Sequence, residues 1–322
     1  MYENFQTIII IIAAIALFVF ALQSFSKEID NLGTERLAKW MSKITNLPLG
    51  GFLTGGIFTA IVQSSTLVST LTVSLVNAGI ITFRDSIMIL LGTNIGTTST
   101  AWIVSINSDF IGPFFIVLGS LMSMFPSRIA IAGKSVFFFG FIFFSLAFIG
   151  DAMEPIKNNA YLIEVLSKAA NPLLGIIYGI IITVIIQSSS VVIGLVIVLL
   201  AQGTISIEAS IPIVVGANIG TTSTALLVSL KYSSIAKLVA WAASAFNIIG
   251  VLIMFPFFGT LQNIAVSFSA VPSLQVAMAY TLSNTFTSIF FLLLIEPTLK
   301  WLQSHRWYKP DFTEDVKKVE PH

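Results

Sequence analysis

Long apolar runs, interrupted at a few places by small polar residues, organise this chain. They fall at about 5–25, 48–82, 86–106, 110–126, 130–149, 172–204, 209–230, 235–258 and 276–302. Most are near the roughly twenty residues that cross a bilayer as a helix. Runs 48–82 and 172–204 are instead too long for one span and too short for two with a connection. Each has a polar cluster near its middle, Gln63-Ser64-Ser65-Thr66 in the first and Gln187-Ser188-Ser189-Ser190 in the second. In lipid such groups are tolerated only where they are buried in protein or line a cavity. The pattern therefore predicts a re-entrant helical hairpin in each run, entering and leaving on one side with its polar tip at membrane depth. Runs 86–106 and 209–230 contain Gly92-Thr93-Asn94-Ile95-Gly96-Thr97-Thr98 and Gly216-Ala217-Asn218-Ile219-Gly220-Thr221-Thr222. Two glycines among polar residues disfavour continuous helix, so each is predicted to be a broken transmembrane helix.

The pattern is stated twice. Pro48–Ala101 aligns with Pro172–Ala225 at an offset of 124 without a gap, and 27 of the 54 positions are identical. Segment 5–25 maps at the same offset onto 129–149. Each repeat then reads as helix, hairpin, broken helix, helix. The domains are repeat 1 over 1–126, repeat 2 over 127–258, an extra transmembrane helix within 259–303 and a cytoplasmic tail over 304–322. One repeat holds three crossings, an odd number, so the second copy is expected upside down relative to the first. With both hairpins re-entrant, fourteen of the sixteen Lys and Arg residues collect on one side, Lys27, Arg84, Lys134, Lys231 and Lys300 among them. Only Lys157 and Lys168 fall on the other, which by the positive-inside rule puts the N-terminus outside and the C-terminus in the cytoplasm. Residues 26–47 read as an amphipathic interfacial helix carrying Leu32, Leu37, Trp40, Met41 and Ile44 among charges.

Composition agrees: 56% of residues are hydrophobic and 10% charged, far below the roughly 25% charge of soluble domains. The expected fold class is an all-α integral membrane protein of two inverted-topology repeats, each with a re-entrant helical hairpin and a broken transmembrane helix. The leading residues Met1–Asn4 hold one acid and no base, the wrong start for a signal peptide, so the first run is expected to stay as a helix. There is no Cys and no glycosylation sequon, which fits a cell inner membrane protein.

The doubled motifs offer hydroxyls, side-chain amides and, at the expected breaks, free backbone groups. Oxygen ligands suit a small hard cation such as Na⁺. Hydroxyl donors and helix N-termini suit an oxyanion. Apart from Arg84 and Asp85 at a membrane edge, the motif segments hold no acid or base, so an anion taken up there needs co-bound cations. A serine hydrolase is excluded as the function, because Ser64 and Ser188 have no His or Lys base in the membrane segments. The pairs Gly51/Gly55 and Gly175/Gly179 read as helix packing. Asn247 and Asn284 are placed between inter-helix hydrogen bonding and cavity lining, and Asp109 reads as a loop residue.

The doubled Gln-Ser-Ser with Gly-x-Asn-Ile-Gly-Thr resembles the type II sodium-dependent phosphate cotransporter family over about 45–260, with Ala245-Phe246-Asn247 and Ser283-Asn284-Thr285 as weaker later signatures. The resemblance implies phosphate at Ser64, Ser65, Thr66, Ser188, Ser189 and Ser190. It implies sodium at Gln187, Ser188, Thr221 and Thr224, with a symmetry-related set at Gln63, Ser64, Thr97 and Thr100, supported by Asn94, Asn218, Asn247 and Asn284. Thr66 departs from Ser in the first motif and keeps the hydroxyl, and Ala217 offers only backbone. The expected function is Na⁺-coupled symport of inorganic phosphate by alternating access, with no enzyme activity and no cofactor beyond Na⁺ as coupling ion. Transport of another oxyanion (a dicarboxylate or sulfate) and a passive anion channel are the alternatives. Expected partners are inorganic phosphate, Na⁺ and membrane lipid, with no nucleic acid. The oligomeric state stays open, a dimer being one option.

Overall fold

The computed structural model describes residues 2–31, 49–106, 110–125 and 128–304. The expected interfacial helix beyond Asn31, Asp109, and the tail fall outside these residues. Among the described residues every regular element is helical. In chain order they are α1 (Tyr2–Asn31), α2 (Gly50–Val62), α3 (Ser65–Asn77), α4 (Phe83–Val104), α5 (Ile111–Ser123), α6 (Arg128–Met153), α7 (Ala160–Ser167), α8 (Pro172–Ile186), α9 (Ser189–Ala201), α10 (Ile207–Ser229), α11 (Ser234–Met254), α12 (Phe258–Phe268) and α13 (Pro272–Ser304). Six helical stretches among the described residues are long and apolar enough to cross a membrane. The chain is an all-α, multi-pass membrane protein.

Both long motif runs split into two short helices where the polar clusters stand. Gln63 (φ 57°) closes α2 and Gln187 (φ 62°) closes α8, both in the left-handed region that non-glycine residues seldom occupy. The next residue starts the following helix in each case. Ser64 caps α3 by accepting the Leu67 amide at 3.2 Å, and Ser188 caps α9 by accepting the Val191 amide at 3.4 Å. The far ends of the runs match as well. Gly79 and Gly203 both sit at φ 71°, and Thr82 and Ser206 cap the long helices that follow.

The expected breaks in 86–106 and 209–230 do not occur. α4 is helical through Gly92–Thr98, and α10 runs through Gly216–Thr222 despite Pro212. The glycines are there for close approach, not for flexibility. A Cβ on Gly92 would lie 1.9 Å from the Phe52 carbonyl oxygen of α2, and one on Gly216 would lie 2.3 Å from the Ile176 carbonyl oxygen of α8. From the other side, a Cβ on Gly55 would meet the Ile89 oxygen at 2.0 Å and one on Gly179 the Ile213 oxygen at 2.1 Å. Backbone thus meets backbone along α2/α4 and α8/α10, the small-residue contact of membrane helices, and the packing role expected of Gly55 and Gly179 is the one they have. The polar residues are accommodated because their hydroxyls bond back into their own helix, as Thr97 does to the Thr93 carbonyl at 2.8 Å.

Two further departures come from length. α5, expected to span the membrane over 110–126, has 13 residues, about 20 Å at 1.5 Å per residue. It packs tightly on α6, where a Cβ on Gly119 would meet the Phe137 backbone nitrogen at 2.2 Å. The connection expected at 259–275 instead contains α12, divided from α11 by a 3₁₀ turn at Phe255–Phe257.

The buried apolar side chains form two clusters. α4 starts in one (Phe83, Ile87, Leu91) and ends in the other (Ala101, Val104). α10 makes the opposite passage, from Ala209–Ala217 in the second cluster to Ala225 in the first. α13 lies antiparallel beside α4, pinned by Arg84–Glu296 at 2.7 Å, Ser288 to the Leu91 carbonyl at 2.9 Å, Trp102 to Thr281 at 2.9 Å and Ser105 to the Ser273 carbonyl at 2.9 Å. The polar motifs occupy the seam between the clusters.

Candidate functional site

The two helix breaks meet. Gln63 and Ser64 of the first and Ser188 and Ser190 of the second line one cavity of about 220 Å³, with Leu67 and, from α1, Leu22, Gln23, Ser26 and Lys27. The Ser190 hydroxyl lies 3.5 Å from that of Thr100, which joins the second break directly to α4. Because Ser64 and Ser188 accept backbone amides as caps, their own O–H groups are free to donate. Each also stands at the N-terminus of a 13-residue helix, where the dipole favours negative charge. Hydroxyls placed in this way have the chemistry to donate to an anion.

The glutamines behave unequally. Gln63 is 8% exposed; its Oε1 accepts the Thr100 hydroxyl at 2.8 Å, and its Nε2 donates to Ser99 Oγ at 2.8 Å and to the Ala60 carbonyl. Gln187 is exposed; its Oε1 accepts from Thr224 at 3.2 Å and its Nε2 reaches only the Val184 carbonyl, at 3.4 Å. Ser223, the counterpart of Ser99, is left with a buried hydroxyl oxygen that has no partner among the described residues.

A second cavity, about 30 Å³, lies deeper between the halves and is lined by Ser65, Thr93, Asn94, Thr97, Asn218, Thr221, Thr222 and Asn247 among others. Its size is that of one water or one small ion. Thr97 and Thr221 give their protons to the Thr93 and Ala217 carbonyls, at 2.8 and 3.1 Å, leaving lone pairs for the cavity. Such oxygens suit a hard cation. Asparagines brace it: Asn94 Nδ2 donates to Asn247 Oδ1 at 3.2 Å, and Asn218 Nδ2 to Asn284 Oδ1 at 2.8 Å. Asn247 therefore both bonds across helices and lines a cavity. The fully buried Tyr280 donates its hydroxyl to Asn218 Oδ1.

The predicted residues thus divide between two places. Ser64, Ser188 and Ser190 line the tip cavity, Ser65 lines the deeper one, and Thr66 and Ser189 line neither. Of the two sodium sets, Gln63 with Thr100 and Gln187 with Thr224 are paired at the breaks, whereas Thr97 and Thr221 line the deeper cavity. Sequence reasoning missed two residues. Tyr280 stands one helical turn before Asn284 on α13. Lys27 falls in the interfacial helix expected over 26–47, and no base is expected at the site; α1 in fact continues to Asn31 and carries Lys27 into the tip cavity. The available signal was the polar spacing Gln23, Ser26, Lys27, which is i, i+3, i+4 on one helix face.

The chain is similar in sequence to several known proteins. The chain is 28% identical over 285 residues to the uncharacterized protein YqeW of Bacillus subtilis, covering 88% of this chain and 92% of that one. It is 25% identical over 301 residues to YjbB of Escherichia coli, named as a candidate inorganic phosphate export protein, covering 92% of this chain and 55% of that one. The chain therefore spans about half the length of that relative. A 135-residue stretch, 38% of the chain and 20% of the relative, is 32% identical to the human sodium-dependent phosphate transport protein 2B. No solved structure matches the chain significantly. The profile of one transporter family matches twice, over residues 17–151 and 156–290, and on that match the chain belongs to the Na⁺/Pi-cotransporter family.

Proposed function

We propose that this protein is a Na⁺-coupled symporter of inorganic phosphate that works by alternating access. The observation that carries the reading is the shared tip cavity, where Ser64 of one repeat faces Ser188 and Ser190 of the other. Phosphate accepts hydroxyl protons there and lies on two helix N-termini. Na⁺ takes the hydroxyl and amide oxygens of Gln63 with Thr100, of Gln187 with Thr224, and of the deeper cavity at Thr97 and Thr221. Inorganic phosphate carries more than one negative charge near neutral pH, so Lys27 alone does not balance it and the coupling ions complete the neutralisation. The opposite passage of α4 and α10 between the two core clusters supports inverted repeats, and the helix breaks at Gln63 and Gln187 support re-entrant hairpins. The N-terminus lies outside and the C-terminus in the cytoplasm of the inner membrane.

Uptake of labelled phosphate into proteoliposomes tests this. A Na⁺ gradient should drive uptake, and Ser64→Ala and Ser188→Ala should abolish it while the purified variants stay monodisperse. Wild-type-like uptake by both variants would sink the site. Competition by sulfate or a dicarboxylate stronger than by phosphate itself reassigns the substrate, and flux without a Na⁺ gradient points to a channel. The name of the Escherichia coli relative favours export as a second reading of direction. Reversing the Na⁺ gradient across the same vesicles distinguishes the two: a reversible symporter follows the gradient, and a dedicated exporter does not take phosphate up.

A further inference from the structure

The tip cavity has one wall that the doubled motifs do not supply. α1 is apolar for most of its length, yet near its end Gln23, Ser26 and Lys27 fall on one face and line the cavity beside Gln63, Ser64, Ser188 and Ser190. Among the described residues Lys27 is the single charged side chain in that lining. No ion pair engages it among the described residues. The adjacent carboxylate, Glu28, points elsewhere, into a separate cavity of about 340 Å³ that it shares with Ser120, Ser123 and Lys134. The helix phase thus separates the two charges and leaves an ammonium with no ion-pair partner among the described residues beside two sets of hydroxyls.

We propose that Lys27 is the anion-receiving residue of this cavity: it draws the incoming oxyanion to the tips and holds it there until Ser64, Ser188 and Ser190 take it over. The proposal rests on the tip cavity being the oxyanion site. Lys27 is exposed, so its charge is held without a desolvation cost while the cavity is open. Two opposite unit charges about 4 Å apart attract in water strongly enough to tighten an equilibrium roughly fivefold. A single flexible ammonium also lets go, because it fixes no bidentate geometry as an arginine fork does. Transport needs a residue that attracts and then releases. At about 220 Å³ the cavity has room for an oxyanion with part of its hydration still in place.

The test is equilibrium binding of radiolabelled inorganic phosphate to the purified full chain at fixed Na⁺, at low and high ionic strength, for the wild type, K27Q, K27R, K27E and Ser188→Ala. K27Q should weaken binding roughly three- to tenfold at low salt, a range set by a surface Coulomb attraction. K27E should weaken it further, and K27R should stay close to wild type. The difference between wild type and K27Q should shrink as salt rises, because an exposed charge is screened over about 10 Å at 0.1 M. Ser188→Ala should lose binding at both salts. If K27Q binds as the wild type does while Ser188→Ala does not, the role of Lys27 is overturned and the phosphate site stands. If the wild type ignores phosphate but binds labelled sulfate or a dicarboxylate, the phosphate reading falls, and the same comparison on that anion decides Lys27. If the wild type binds none of these anions, both fall.

Discussion

Gln63 Oε1 accepts the Thr100 hydroxyl at 2.8 Å inside the protein, and the same atom of its repeat mate, Gln187, accepts from Thr224 at 3.2 Å with the amide exposed. One sequence motif therefore makes a closed clamp in the first half and an open one in the second. The open clamp strands the Ser223 hydroxyl, buried without a partner among the described residues, where Ser99 is bonded. A buried polar group left unpaired costs about 1–3 kcal/mol.

The two glutamines should therefore fail differently. Gln63→Ala removes a buried side chain with partners at Ser99, Thr100 and Ala60 and should cost about 2 kcal/mol of stability, inside the range for orphaned buried groups. Gln187→Ala removes two long, exposed contacts and should leave the melting temperature within a degree or two of wild type, about 0.5 kcal/mol at most. Its effect should instead be on Na⁺ dependence, raising the Na⁺ concentration for half-maximal phosphate uptake. Thermal unfolding in detergent with a Na⁺ titration of uptake checks both; equal destabilisation by the two changes would refute the asymmetry.

The motif glycines are set by close packing. Gly92→Ala would place a Cβ 1.9 Å from the Phe52 carbonyl oxygen, and backbone cannot move aside as a side chain can. Overpacking of this kind costs about 1–3 kcal/mol and sometimes more. The variant should give little monodisperse protein. Gly259→Ala, with nothing within 4 Å of the new Cβ, should behave as wild type. Gly79→Ala meets no neighbour either, but its φ of 71° should cost about 1 kcal/mol. Yield by fluorescence-detected size exclusion ranks the three.

These glycines also show what the sequence could and could not reveal. The repeat, the helix breaks at Gln63 and Gln187 and the helical class were legible, because a polar cluster inside an apolar run has few physical solutions in lipid. The continuity of α4 and α10 was not. Glycine next to Asn and Thr reads as a breaker by intrinsic propensity, and the close approach of α2 and α8 that overrides propensity is a tertiary fact. Lys27 was missed because a charge at the end of an apolar run reads as the start of a separate interfacial segment until α1 is known to continue past it. The pairing of Asn94 with Asn247 and of Asn218 with Asn284 spans 153 and 66 residues, beyond what spacing reveals.

That asparagine network makes its own prediction. Asn218 gives its amide to Asn284 and receives the Tyr280 hydroxyl. Asn218→Ala leaves both partners in a buried setting without it and should cost about 2 kcal/mol, and Tyr280→Phe, which keeps the ring, about 1 kcal/mol. Because both changes break one network, the double variant should cost less than the sum of the singles. A double-mutant cycle on thermal stability reads the coupling, and strict additivity would show that Tyr280 and Asn218 act independently.

Inverted repeats have a consequence that labelling can read. Ala78 and Ala201 are exposed residues at the far ends of α3 and α9, next to the equivalent turns at Gly79 and Gly203. In a parallel arrangement of the two halves these turns share one face of the membrane; in an inverted arrangement they lie on opposite faces. The chain has no cysteine, so Ala78→Cys and Ala201→Cys each introduce a unique thiol. Ala78 caps α3 and Ala201 is the last residue of α9, both exposed and outside the two cavities of the candidate site, and each substitution should cost within about 0.5 kcal/mol. In intact cells a membrane-impermeant maleimide should label Ala201→Cys and spare Ala78→Cys, and inside-out vesicles should give the reverse. The direction follows from the charge count, because Arg84 lies just beyond the first turn on the Lys- and Arg-rich side, which faces the cytoplasm. Labelling of both variants from the same side would overturn the inverted topology and leave the shared tip cavity to be explained by a different path of the chain through the bilayer.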